Sequence, residues 1–162
     1  MITETDGWHH ESIEDGIKAL EELADTHNFS LEKQQEARLE ILKHNFPGLE
    51  HFPNKLLWTD EWYEFGRERT GGLNYLIAID ENSFYPEVTW KNRDEDKNGN
   101  MMDRVGKGIG DFHPISWYHE YDGGRAFYIA LGHIPKVYEN QWFPDHLCGG
   151  VFYAATGKGI EK

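Results

Sequence analysis

Cysteine is almost missing from this chain: Cys148 is the single one among 162 residues. No intrachain disulfide can form, so packing and hydrogen bonds must hold the fold, and cysteine usage leaves the redox compartment open. Positive charge is also scarce. Sixteen Lys and Arg stand against twenty-nine Asp and Glu, a net charge of -13, which disfavours phosphate-backbone binding and anionic membrane surfaces. Nucleic acid and membranes are therefore not expected partners. No run of about eighteen apolar residues occurs, and the start (Met-Ile-Thr-Glu-Thr-Asp) has neither a basic n-region nor an apolar h-region. The expectation is a soluble, cytoplasmic chain without an export signal. The phosphate-binding P-loop, the dinucleotide fingerprint, Gly-x-Ser-x-Gly, a nucleophile-elbow cysteine and His-Glu-x-x-His are all absent, and with them the chemistries those motifs support.

What the chain does have is aromatic surface: 14 % of residues, six Trp and eight Tyr among them. That is more than packing alone usually needs, and it suits a pocket that stacks flat ligands or sugar faces. The length fits one domain with a real core. From Ser12, Ile13, Ile17, Leu20 and Ala24 recur at helical spacing with Asp15 as a capping acid, which predicts a helix to about residue 25. The preceding loop brings His9 and His10 to its N-terminus. Residues 31–43 are rich in helix formers, which predicts a second, weakly packed helix. Proline breaks follow at Phe46-Pro47 and Phe52-Pro53. Residues 73–79 form a near-continuous apolar run, as a strand covered on both faces would.

A polar excursion over residues 82–110 holds Asp94, Asp96 and Asn98 followed by Gly99, the first half of a calcium-loop pattern. Val105 occupies the twelfth position, where that pattern needs glutamate, so these three are only weak metal candidates. No cofactor is expected beyond a divalent metal at most.

Residues 114–121 and 125–131 flank Asp122, Gly123 and Gly124 and predict a β-hairpin. A three-residue loop sets Tyr121 opposite Arg125 and His113 opposite His133, and gathers Ile115, Trp117, Phe127, Ile129 and Leu131 on one face. A two-residue loop shifts the register and parts the two histidines. The last helix begins near Asn140, tolerates Pro144 in its first turn, buries Phe143, Leu147 and Val151, and stops at Gly157. Cys148 reads as a buried, inert thiol within it, and Gly149-Gly150 as a place of close helix-to-sheet contact. Arg125 reads as a partner for a carboxylate. His10, Asp60, Glu61, His113 and His133 are polar groups able to converge, histidine as acid, base or ligand and the carboxylates to orient it.

Six ordered blocks carry a resemblance: residues 5–13 (Thr-Asp-Gly-Trp-His-His-Glu-Ser-Ile), 59–65 (Thr-Asp-Glu-Trp-Tyr-Glu-Phe), 113–117 (His-Pro-Ile-Ser-Trp), 122–128 (Asp-Gly-Gly-Arg-Ala-Phe-Tyr), 131–133 (Leu-Gly-His) and 146–150 (His-Leu-Cys-Gly-Gly). In these the chain resembles the ThuA-like (trehalose utilisation) family, over about residues 5–30 and 45–159. The resemblance implies a class I glutamine amidotransferase-like, flavodoxin-type α/β fold without the amidotransferase nucleophile. Here that fold is reduced, because residues 31–44 stand in place of a central block and the usual first strand is missing. It also implies a role in bacterial carbohydrate metabolism, on trehalose or a keto-sugar, with a small sugar as partner. His133, His10 and His113 are then the catalytic candidates, and Asp60, Glu61 and Trp117 the substrate-binding ones. The alternative is a non-catalytic, degenerate module that binds sugar or forms homo-oligomers to cover its exposed sheet faces.

Overall fold

The computed structural model describes residues 34–65 and 72–159. The chain divides into two units, Met1–Glu32 and Lys33–Lys162, and everything below concerns the described residues of the second. His9, His10 and the helix expected after Ser12 lie outside the described residues.

Five strands make one sheet: β1 (Gln34–Ile41), β2 (Lys55–Glu61), β3 (Asn74–Asp80), β6 (His113–Tyr121) and β7 (Gly124–Ile129), in the order β2-β1-β3-β6-β7. A separate hairpin pairs β4 (Thr89–Glu95) with β5 (Met101–Val105), and helix α1 (Trp142–Thr156) follows β7. This is the mixed α/β domain expected, with its hairpin and closing helix. Every ladder is antiparallel, whereas flavodoxin-type sheets are parallel. The connections here hold no crossover helix among the described residues, and tight turns join only antiparallel neighbours.

The helix expected over residues 31–43 is instead strand β1. Ala37, Leu39 and Ile41 are buried while Glu36 and Arg38 face out, an alternation of period two that fits a strand with one covered face. Pairing with both β2 and β3 satisfies its backbone on two sides, and that tertiary context outweighs the helix propensity of Gln, Glu and Arg. β3 meets its expectation, since Leu76, Ile77, Ala78 and Ile79 are all buried in the middle of the sheet.

The β6–β7 hairpin forms, but with a different register. Tyr121 pairs with Gly124, so the loop is Asp122-Gly123 alone. Both residues have positive φ, 49° and 74°, as a type I′ turn requires and as Asp-Gly supplies with little strain. Gly124 belongs to the strand. This register pairs Tyr118 with Phe127 and Trp117 with Tyr128, so Trp117 and Phe127 lie on opposite faces and the single aromatic face expected of them does not exist.

One face, carrying Ser116, Tyr118 and Phe127, receives α1. Phe46 is wedged there, 1 % exposed, with ring centroids 5.2 Å from Tyr118, 5.8 Å from Phe127 and 5.6 Å from Tyr153. The inner side of α1 is Phe143, His146, Gly149, Gly150 and Tyr153, while Val151 and Cys148 are exposed. Both departures follow from the glycine pair, which rotates the closest contact onto its own stripe. A Cβ on Gly150 would stand 2.2 Å from the Phe127 ring, and one on Gly149 1.8 Å from the Pro47 carbonyl oxygen. Arg125 takes no carboxylate among the described residues. Its Nε donates to the Ala154 carbonyl at 3.2 Å and its Nη2 to that of Ala155 at 3.3 Å, neutralising the carbonyl end of the helix dipole. Gly157 ends the helix at φ 68°, as expected.

Candidate functional site

The extended segment from Asp60 to Phe65 builds the site, and side chains two apart in such a segment share a side. Asp60 itself is completely buried. Its Oδ2 accepts from the Gly132 N–H at 2.8 Å, and its Oδ1 from the N–H groups of His133 at 3.1 Å and Glu61 at 3.0 Å. Burial raises its pKa, against the lowering by those three amides. Asp60, expected to touch substrate, therefore offers a ligand no surface. What it does is fix the Gly132-His133 backbone, where Gly132 at φ 102° takes a conformation a side chain would resist.

His133 is then held between two partners from the β2 side. Its Nε2 lies 2.7 Å from Glu61 Oε2, and its Nδ1 lies 2.6 Å from the Tyr63 hydroxyl. The Tyr63 hydroxyl bonds Nδ1, and the Glu61 carboxylate stands at Nε2 as a charge partner, close but outside hydrogen-bond alignment. Burial first, then the nearby carboxylates Glu61 and Asp60, push the Tyr63 pKa up to about 12, so the phenol keeps its proton at neutral pH. Tyr63 is 39 % exposed, which leaves the relay open to a ligand. Glu61, His133 and Tyr63 thus form a carboxylate, imidazole and phenol chain able to move one proton. Sequence reading did not single out Tyr63, which it holds only as part of the block of residues 59–65.

His113 reaches the same segment from behind. It is 1 % exposed, with Nε2 2.9 Å from the Tyr63 carbonyl and Nδ1 2.8 Å from Glu81 Oε1. The two histidines thus share one neighbour, Tyr63, although the register does not set them opposite each other. Glu81 also accepts from the Ile109 and Gly110 N–H groups, and Glu64 Oε1 from those of Lys107 at 2.5 Å and Gly108 at 2.6 Å. Two carboxylates thereby lash the glycine-rich loop before β6 to the site. Because His113 touches backbone and carboxylate but no open space of ligand size, its role is to position Tyr63.

Between this segment and the β4–β5 hairpin lies a cleft of about 470 Å³, lined by Glu61, Tyr63, Glu64, Phe65, Trp90 and Arg104 among others. Trp62 lines it too and also borders a cavity of about 20 Å³ that reaches His113. Trp117 stands one layer back, stacked on Tyr128 at 4.2 Å and edge-on to Phe65 at 5.4 Å, and so supports a wall of the cleft through Phe65. The weak metal candidates serve the hairpin: Asp94 pairs with Arg104, and Asp96 Oδ1 accepts from the Asn98 N–H at 2.8 Å and the Asn100 N–H at 2.9 Å. Among the described residues no three His, Cys, Asp or Glu side chains stand together in a way that could hold a metal ion, and no helix is long and apolar enough to cross a membrane.

Fold and site thus define an α/β domain in which a carboxylate and a phenol, both in contact with His133, line an aromatic-walled cleft. The trehalose utilisation (ThuA) family matches residues 29–154, and the chain belongs to that family. The match includes residues 31–44, the block that seemed foreign in sequence, with β1 inside it. No curated protein sequence matches the chain. Among solved structures it is similar to a ThuA-like protein from Parabacteroides merdae ATCC 43184, with 25 % identity and a TM-score of 0.47, over 80 % of this chain and 42 % of that one. The chain thus spans less than half the length of that relative.

Proposed function

We propose that this trehalose utilisation family member binds a sugar or sugar derivative in the cleft and transforms it by proton transfer through Tyr63. The observation that carries this reading is the chain of contacts from Glu61 through His133 to Tyr63, at 2.7 Å and 2.6 Å, ending at the cleft. The anomeric hydroxyl of a keto-sugar next to Tyr63 gives its proton to the phenolic oxygen as the phenol passes its own to His133 Nδ1. The imidazolium so formed is stabilised by Glu61; as the anomeric oxygen becomes the carbonyl the ring C–O bond breaks, and the ring oxygen takes the proton back through Tyr63, which opens the sugar and resets the site. Trp90 and Phe65 offer ring faces to the C–H surface of a sugar. Calorimetric titration of the chain with trehalose and keto-sugars tests the binding: saturable binding that Trp90→Ala and Phe65→Ala weaken is expected, and no binding by any sugar would remove the proposal.

The second reading is a module that binds sugar without transforming it. It is favoured by the burial of Asp60 and His113, which leaves two of the expected binding and catalytic groups without a surface for a ligand. Binding without any change in the sugar would establish it.

A further inference from the structure

His113 is buried, and both of its ring nitrogens face atoms that only accept. Nε2 lies 2.9 Å from the Tyr63 carbonyl oxygen and Nδ1 lies 2.8 Å from Glu81 Oε1, each in hydrogen-bond alignment with its partner. A neutral imidazole carries one N–H. It would serve one of these acceptors and turn a lone pair on the other, so both contacts together require a proton on each nitrogen. Glu81 meanwhile accepts the Ile109 N–H at Oε1 and the Gly110 N–H at Oε2, the latter at 2.9 Å. Two amides on its two oxygens favour the ionised carboxylate, which leaves the proton between the pair on the ring. His113 is thus a buried imidazolium with Glu81 as its counter-ion.

The surroundings suit that charge. His113 pairs across the sheet with Ile79 of β3, and the Phe84 ring stands edge-on at 6.0 Å. The cavity of about 20 Å³ that His113 borders also has Glu61, Glu64 and Tyr85 as ionisable groups among its described neighbours, and all three are acids. The effect reaches the cleft through one residue. Tyr63 takes the His113 N–H on its backbone carbonyl and offers its hydroxyl to His133 Nδ1 at 2.6 Å, so what anchors the carbonyl also sets the place of the phenol. A displacement of about 1 Å at a reacting group can cost about a hundredfold in rate.

We infer, on the proton-transfer reading of the same site, that Glu81 is a positioning residue: it keeps His113 charged and so bonded to the Tyr63 carbonyl, and the phenol loses its place when rising pH strips that proton. The contact is complete while the ring holds both protons and is lost on the alkaline side. Tyr63 itself keeps its proton up to about 12, so a fall in rate well below that pH is not its own ionisation. Two measurements on the whole chain test the inference. In nitrogen NMR of histidine-labelled protein at pH 7, both His113 ring nitrogens should carry a proton. The relaxation of freshly dissolved crystalline fructose, followed by optical rotation less the uncatalysed rate at each pH, should be fast in wild type and fall at alkaline pH. Glu81→Gln removes the counter-charge and should move that fall at least about one pH unit lower, with calorimetric affinity for fructose within about threefold. His113→Gln, whose amide donates to the carbonyl at every pH, should abolish the fall. A merely structural Glu81 would lower the rate by one factor at all pH values. A His113 nitrogen without a proton at pH 7, or an unshifted profile in Glu81→Gln, overturns the inference and leaves the proton-transfer reading standing. If wild type speeds the relaxation at no pH, that reading falls and takes the positioning role with it, while the NMR result still decides the charge of His113.

Discussion

Alanine in place of a mid-helix glycine ordinarily stabilises a protein by about 1 kcal/mol; in α1 the sign should reverse. At Gly150 the added Cβ would sit 2.2 to 2.4 Å from three atoms of the Phe127 ring. That ring is itself packed 5.8 Å from Phe46 and 5.2 Å from His146, so it has little room to retreat. Overpacking of this kind costs typically 1–3 kcal/mol, which exceeds the propensity gain. Gly150→Ala should therefore be up to about 2 kcal/mol less stable than wild type in urea unfolding. Gly149→Ala should be worse, because its Cβ meets the Pro47 carbonyl at 1.8 Å, and backbone cannot rotate away as a ring can. The double variant Gly150→Ala/Phe127→Leu separates the terms. Trimming the ring should recover most of the Gly150→Ala loss and none of the Gly149→Ala loss. A Gly150→Ala protein more stable than wild type, or a Phe127→Leu background that rescues both alike, would refute this account of helix-to-sheet contact.

Three further outcomes follow. His146 is buried with its Nε2 2.8 Å from Ser116 Oγ, and burial lowers its pKa from 6.5 to about 3. Its folded pKa is depressed while the unfolded chain takes up the proton near 6.5, so stability is full above that pH and falls by up to about 1.4 kcal/mol per unit as pH drops toward 3; His146→Leu should lose this one-proton slope in urea titrations at pH 7, 5.5 and 4.5. Asp60→Asn keeps the size but loses half the acceptors for three amides, and should cost about 1–3 kcal/mol while shifting the His133 amide resonance. Asp122→Val puts a β-branched residue at φ 49°, which should cost about 1–2 kcal/mol by thermal unfolding, whereas Asp122→Asn should change little.

The hairpin was legible in sequence because Asp-Gly between apolar runs is a strong turn signal, but its register was not. Asp122-Gly123-Gly124 offers two positive-φ pairs, and only the packing of Phe127 against α1 decides that Gly124 belongs to the strand. Strand β1 was hidden by the helix-forming residues that fill its exposed positions, although Ala37, Leu39 and Ile41 carried the period-two signal all along. The glycine pair was read correctly as a contact point, yet Cys148 and Val151 were placed on the wrong side of the same helix, since a stripe of small residues has weak apolar periodicity. Within the site, Glu61 and His133 were legible from residue type. Tyr63 was findable as the residue two beyond Glu61 in an extended segment. The link from Glu81 to His113 was not, because it joins the end of β3 to the start of β6 through folding alone.

The proton path from the cleft through Tyr63 to His133 is tested most directly by proton NMR of trehalose and keto-sugars incubated with wild type and with Tyr63→Phe. The account predicts that wild type changes the resonances of at least one of these sugars. Removing the Tyr63 hydroxyl should slow that change by about a hundredfold or more, while calorimetric affinity stays within about threefold. Equal rates in the two proteins would contradict it.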